Sequence, residues 1–308
     1  SIASSLLLYG ISLVYIVSGS VSYNAIAIEL AQTGFSSLSF EYMLAIILIL
    51  SGLFFKIAIV PLQFYLPDVL FAANRPALAF ISTISKIVGL MILFQFLAVI
   101  LPETSYSETY YLIMFGFALA SIFVGSVFAL KEDNINRFLA YSSINNAGFM
   151  LICATILDYK TLMFYLINYC VIILALVCFI LSFKVRGEYI KSIKDLAFIS
   201  KKSHKFSLLG VFLIFSLAGV PPFAMFYSKF LVIQGLINNG FIINAVLAVI
   251  FSIFAVAYCL RVVKYIYFND NAEDVSIQTI CSTKILTYLL AGLIIVLSLS
   301  PQLVSSLF

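Results

Sequence analysis

Charge is what this chain has least of. Asp, Glu, Lys and Arg together make up 10% of its 308 residues, where an ordinary soluble domain carries roughly 25%. Tryptophan is absent, and histidine occurs once, as His204 in the basic run KKSHK. A single histidine in a solvated loop makes neither a haem site nor a metal site. The five cysteines (Cys153, Cys170, Cys178, Cys259 and Cys281) lie in or beside apolar stretches, and none forms a C-x-x-C pair. That argues against iron–sulfur and zinc binding and leaves the thiols as small buried hydrophobes. No cofactor and no metal is expected, and electron transfer is not expected on this chain. Nucleic acid is not an expected partner either.

What the chain does have is apolar sequence, 64% of the whole. A soluble domain holds roughly 45–50%, so this is an integral membrane protein. Nine passages of spanning length are read near residues 2–18, 42–60, 76–101, 110–130, 137–157, 161–183, 206–238, 241–266 and 284–306. The expected fold is all-α, a polytopic bundle of transmembrane helices forming a single unit over 1–308. The seventh passage is too long for one straight helix and is interrupted at Gly219-Val220-Pro221-Pro222. The third, entered through Pro61, Pro67 and Pro76, is expected to be irregular near Lys86.

The links between passages divide by charge. Those after the second, fourth, sixth and eighth passages carry Arg75, Lys131, Arg137, Lys184, Arg186, Lys191, Lys194, Lys201, Lys202, Lys205, Lys264 and Lys284. The opposite links carry Glu29, Glu41, Glu103, Glu108 and Asp158, with Lys160 the one base. By the positive-inside rule the N-terminus is outside and the C-terminus inside. The longest link, near 184–205, alternates basic and apolar residues. It reads as an interfacial segment against anionic headgroups or a partner.

Two lysines stand within this apolar sequence. Lys86 follows Pro76 by ten residues, and Lys229 follows the Pro221-Pro222 break. Both proline segments reach a Ser-Lys pair, a weak internal repeat of the kind that repeated transporter halves show. An ionisable group at bilayer depth is costly and by default marks a conduction path. Lys56, five residues before Pro61, reads equally as a relay member or as an anchor whose ammonium snorkels to the inner surface. Asp68 reads as a partner of Arg75 or a helix cap, and Tyr141, Ser142 and Ser143 as supports for a water chain or as packing residues.

Five strings carry a resemblance: LLLYGISLVYIVSGS near the start, FKIAIVPLQFYLPDV from 55, FISTISKIVG from 80, NRFLAYSSINNAGFM from 136 and SLAGVPPFAMFYSKF from 216. In this order they are similar to the antiporter-like subunits of proton-pumping NADH:quinone oxidoreductase, respiratory complex I. Lys229, the YSSI string at 141–144 and the end at Phe308 point to the subunit 2 type, of which the chain resembles the C-terminal part. The resemblance implies an antiporter-like fold with discontinuous helices. It also implies that Lys86 and Lys229, with Lys56, are proton-transfer residues driven by quinone reduction elsewhere. Expected partners are the other membrane-arm subunits, lipids, and a separate chain carrying the missing N-terminal helices and the family's membrane glutamate. The abundance of Phe, Ile, Tyr and Leu suits an AT-rich organellar genome, so the expected location is the mitochondrial inner membrane. The family usually has two adjacent basic residues where this chain has Asn136 and Arg137. A stand-alone cation/proton antiporter and a non-pumping scaffold of the membrane arm are the alternatives.

Overall fold

Apolar segments out of water must satisfy their peptide groups internally, and a helix does so within one segment. The computed structural model describes residues 2–33, 40–100, 108–185, 187–197, 199, 203–268 and 277–299. The helices are α1 (Ile2–Ser18), α2 (Tyr23–Thr33), α3 (Phe40–Ile57), α4 (Tyr65–Ala72), α5 (Arg75–Ile100), α6 (Glu108–Lys131), α7 (Ile135–Thr155), α8 (Tyr159–Leu181), α9 (His204–Ala218), α10 (Ala224–Asn238), α11 (Ile242–Tyr267) and α12 (Cys281–Leu299). The chain is an all-α, multi-pass membrane protein. Helices α2 and α4 occupy stretches that the apolar pattern leaves as links.

The nine passages are all helical, but they are not all of one kind. Only six helices among the described residues are long and apolar enough to span by that measure: α3, α5, α6, α8, α11 and α12. The other three passages are helical but differ in kind. Helix α1 is short, and the passage at 206–238 is divided into α9 and α10. Helix α7 is 21 residues long but polar, with Asn136, Arg137, Asn145 and Asn146 along it. Of its residues only Arg137 and Tyr141 escape burial. A helix sheathed by protein needs no apolar face toward lipid, which is why its sequence looks unlike its neighbours'.

Helix α7 is locked against α6 by backbone proximity. A Cβ on Gly125 would lie 2.5 Å from the Asn145 backbone nitrogen, and one on Gly148 would lie 2.6 Å from the Ala118 carbonyl oxygen. Small residues let membrane helices approach this closely. Between them, Asn145 donates through Nδ2 to the Ile122 carbonyl at 2.9 Å and to Ser126 Oγ at 2.7 Å.

Two expectations about the proline-rich segments part company. Helix α5 runs unbroken through Lys86, because Pro76 sits in its first turn, where the missing N–H has no helical acceptor to lose. The expected irregularity there is absent. The break after α9 is real: Gly219 adopts φ +76° and its N–H closes on the carbonyls of Phe215 and Ser216. Only glycine takes this left-handed cap without strain. Pro221 and Pro222 then bar continuation until α10 starts at Ala224.

At the end of the bundle that carries the basic 184–205 link, β1 (Phe183–Val185) pairs antiparallel with both β2 (Glu188–Tyr189) and β3 (Ile277–Thr279), in the order β2-β1-β3. A 3-10 turn follows at Ile193–Leu196. Ile190, Ile193, Leu196 and Ile199 are buried in the chain itself. The described part of the 184–205 link is therefore a plate folded onto the bundle, with these four apolar residues packed inward and Tyr189 left exposed; Arg186, Lys201 and Lys202 lie outside the described residues. Asp133 pins this plate down. It pairs with Lys194 at 3.0 Å and with Arg261 of α11, which also donates to the carbonyls of Leu130 and Glu132.

Two outcomes follow from these contacts. Gly125→Ala or Gly148→Ala forces backbones apart and should cost about 1–3 kcal/mol, the range for overpacking. Thermal aggregation of the solubilised protein checks it, and an unchanged transition would mean the helices part freely. The hydrogen bond from Lys194, then the charges of Lys194 and Arg261, hold the Asp133 carboxyl below the usual aspartate range. A depressed carboxylate stabilises above its unfolded pKa, and that contribution fades as pH falls through the folded one. Asp133→Asn should thus lose less stability on acidification than the parent in melts taken from neutral to acid pH. Parallel curves would remove Asp133 from this role.

Candidate functional site

The two membrane lysines lie on different helices and reach one shared core. Lys86 of α5 is 2% exposed and Lys229 of α10 is 4% exposed. Each ammonium finds the same two kinds of neutral contact. Lys86 Nζ donates to the Ser143 carbonyl and sits 5.3 Å from the centre of the Tyr169 ring. Lys229 Nζ donates to the Ala218 carbonyl at 2.8 Å and sits 5.0 Å from the centre of the Phe149 ring. Neither meets a carboxylate among the described residues. The Ala218 carbonyl is offered because α9 ends there, at the Gly219 cap. A Cβ on Gly219 would come within 3.1 Å of Lys229 Cδ, so glycine both turns the chain and leaves room for the lysine.

Helices α7 and α8 supply what lies between. On α7, Ser143 meets Lys86 and Phe149 meets Lys229, six residues further on and about 9 Å along the axis. Asn146 falls between them on the same side of the helix. Its Oδ1 accepts from Tyr165 Oη at 2.8 Å and its Nδ2 donates to the Ser142 carbonyl. On α8, Tyr169 donates to Ser143 Oγ at 2.8 Å, and Asn168 donates to Ser228 Oγ, next to Lys229, at 2.9 Å. Tyr165, Asn168 and Tyr169 recur at helical spacing, so they project from one side of α8. Ser82 Oγ, Asn168 Oδ1 and Tyr258 Oη are buried within the protein and have no protein partner in the described structure. Buried polar atoms of this kind are where internal water bonds.

The remaining sequence candidates fall elsewhere. Lys56 is exposed in the last turn of α3, and its carbonyl accepts from Tyr65 Oη at 3.1 Å. The structure does not bring its side chain into the buried core. Tyr141 stacks on Phe128 at 5.3 Å, away from Ser143, while Ser142 lies buried beside the band. Asp68 pairs with Arg137 at 2.9 Å, not with Arg75. Arg75 donates instead to Asn136 Oδ1 and the Ile190 carbonyl. Among the described residues no group of three or more His, Cys, Asp or Glu comes together. The aromatic contacts of Tyr169 and Phe149, and the amides of Asn146 and Asn168, were not singled out from sequence. The amides did carry a signal, since each is a polar residue inside an apolar segment.

Residues 1–255 match the family described as NADH:quinone oxidoreductase/Mrp antiporter, transmembrane. A protein named NADH-quinone oxidoreductase subunit N from Parvibaculum lavamentivorans is 35% identical over 276 residues, 89% of this chain and 56% of that protein. Its namesake from Ruthia magnifica is 33% identical, covering 98% of this chain and 63% of that protein. This chain thus spans between 56% and 63% of the length of these relatives. Among solved structures, a chain in respiratory complex I from Thermus thermophilus with bound aureothin superposes with TM-score 0.81 at 26% identity, over 99% of this chain and 65% of that one. A chain of the Mrp complex from Dietzia sp. shares the fold, with TM-score 0.82 at 20% identity over 98% of this chain and 64% of that one.

Proposed function

This chain belongs to the NADH:quinone oxidoreductase/Mrp antiporter transmembrane family, and we propose that it is a proton-translocating membrane-arm subunit of NADH:quinone oxidoreductase, of the subunit N (subunit 2) type. One observation carries the reading: two buried lysines, without carboxylate partners among the described residues, have hydrogen-bonded polar pairs of α7 and α8 between them. Lys86 and Lys229 are the proton carriers, and Ser143, Asn146, Tyr165, Tyr169 and Asn168 line the route between them. Lys56, exposed in the last turn of α3, reads equally as a relay member and as an anchor at the membrane surface. No redox step takes place on the chain; energy reaches it as altered electrostatics or hydration along the band. One charge crossing about 100 mV involves roughly 2.3 kcal/mol, a scale that a changed contact at either lysine matches.

The neutral contacts make this mechanism workable. A carbonyl and a ring face hold an ammonium without the strength of an ion pair, and a cation–π contact contributes about 0.5–2 kcal/mol. A proton held this way can be loaded and released when hydration changes. The compositional bias supports a mitochondrial inner membrane, with a bacterial cytoplasmic membrane as the other setting. The antiporter reading draws on the same family and fold; it differs in company, since an antiporter needs no NADH-oxidising arm.

Purification in mild detergent, with in-gel NADH oxidation and mass spectrometry of co-migrating chains, separates these readings. Recovery in a very large NADH-oxidising assembly supports the first, and migration in a small NADH-inactive oligomer sinks it. One longer polypeptide containing these peptides would remove the second-chain expectation. Within the assembly, Lys86→Ala and Lys229→Ala should each lower proton uptake at least tenfold while assembly persists. Unchanged pumping would leave a scaffold. Tyr169→Leu should weaken proton loading at Lys86 by about two- to thirtyfold, the range of a lost cation–π contact, with Tyr169→Phe close to the parent; equal effects of the two would show that the ring face does not matter.

A further inference from the structure

Arg75 is the buried charge that the proton reading leaves unused. It opens α5 at the inner face and is 9% exposed, yet it has no carboxylate partner among the described residues. Its guanidinium donates to two neutral acceptors, Asn136 Oδ1 and the Ile190 carbonyl, and its remaining N–H groups have no described acceptor. A cation taken out of water is stabilised by neutral dipoles only in part, and the usual solution is a nearby anion. The Asp68 carboxylate, which could have served, is bound to Arg137.

This guanidinium lines a cavity of about 780 Å³. Asn74, Asn134, Asn136, Glu188 and Lys191 share the lining. Glu188 and Lys191 pair with each other at 2.5 Å, so their charges cancel and the charge of Arg75 is left uncompensated. Asn136 Nδ2 donates to the Leu70 carbonyl at 3.1 Å. That bond, with the bond from Arg75, fixes the amide so that the guanidinium is held in place. A planar guanidinium with free N–H groups matches phosphate oxygens in a paired, forked geometry.

We propose that this inner-face cavity is a binding site for a phosphate group, with Arg75 as its anchor and the Glu188–Lys191 pair as the adjustable charge at its wall. The cavity lies at the start of α5, beside the links that carry most of the chain's basic residues, the side that the positive-inside rule assigns to the inner leaflet, so the phosphate chosen is that of an anionic phospholipid headgroup. Soluble phosphate has the same recognising chemistry and is separated by experiment. The site stands apart from Lys86 and Lys229, so the proposal does not depend on proton translocation.

The test uses the whole detergent-purified assembly, washed with increasing detergent, with retained phospholipid measured per copy by mass spectrometry and radiolabelled inorganic phosphate measured by equilibrium dialysis. Arg75→Gln should reduce retained anionic phospholipid at least tenfold, while zwitterionic phospholipid is unaffected. Glu188 and Lys191 are exposed, so their variants probe the site without disturbing the fold even where Arg75→Gln fails to assemble. Glu188→Gln should hold the lipid through harsher washing, and Lys191→Gln should release it sooner. Dialysis that shows phosphate bound in place of lipid, with the same order of variants, assigns the site to the soluble anion. Opposite or absent effects of the Glu188 and Lys191 variants on both ligands overturn the proposal. So does a cross-link from Lys191 to an acidic segment of a neighbouring subunit in an assembly that retains no phosphate.

Discussion

Hydrocarbon supplies no hydrogen bonds, so each polar group carried into the membrane must find its partner in the protein or in internal water. This chain meets much of that demand on one helix, α7, which it buries almost entirely. Helix α7 takes the asparagines and serines that the lipid-facing helices cannot hold. The glycine contacts with α6 bring the wrapping close enough for Asn145 to bond the neighbouring backbone. Once α7 is sheathed, Ser143 and Phe149 have fixed positions, and with them the environments of both buried lysines.

The two lysines reach similar surroundings by different routes. Lys86 comes from an intact helix and borrows a carbonyl from α7. Lys229 lies just beyond a break and takes the carbonyl that the interrupted helix α9 no longer uses. A broken helix is usually explained by the cavity it lines, and here it also creates an acceptor. The proline pair, the left-handed glycine and the lysine form one device, in which each residue satisfies or makes room for another.

Much of this was legible in sequence, and the failures have physical causes. The lysines showed because charge is so scarce that each one inside an apolar run stands out. The break at Gly219–Pro222 showed because backbone chemistry is local. The expected irregularity near Lys86 failed because proline was counted without its position: Pro76 sits in a first turn, where a helix tolerates it. The nine passages are all helical, but among the described residues only six helices are long and apolar enough to span by length and composition, because α1 is short, α7 is polar and the α9–α10 passage is divided. Sequence alone offers Asp68 either Arg75, seven residues on, or a helix cap, but Arg137 is the residue that folding brings to it. Tyr169 and Phe149 could not be distinguished among 18 tyrosines and 30 phenylalanines, since only packing selects which ring faces an ammonium.

Both ammonium groups are received by main-chain oxygen. The side chains at residues 143 and 218 can change while the acceptor remains, because every amino acid carries the same carbonyl. What Ala218 encodes is therefore a path of the backbone and not a chemical group, whereas Ser143 adds a hydroxyl that accepts from Tyr169. Genetic drift can alter the letter at 218, whereas the lysines and the glycine cap have no such substitute. The molecule keeps the receiving half of its cation sites in the part of the polypeptide that mutation cannot rewrite.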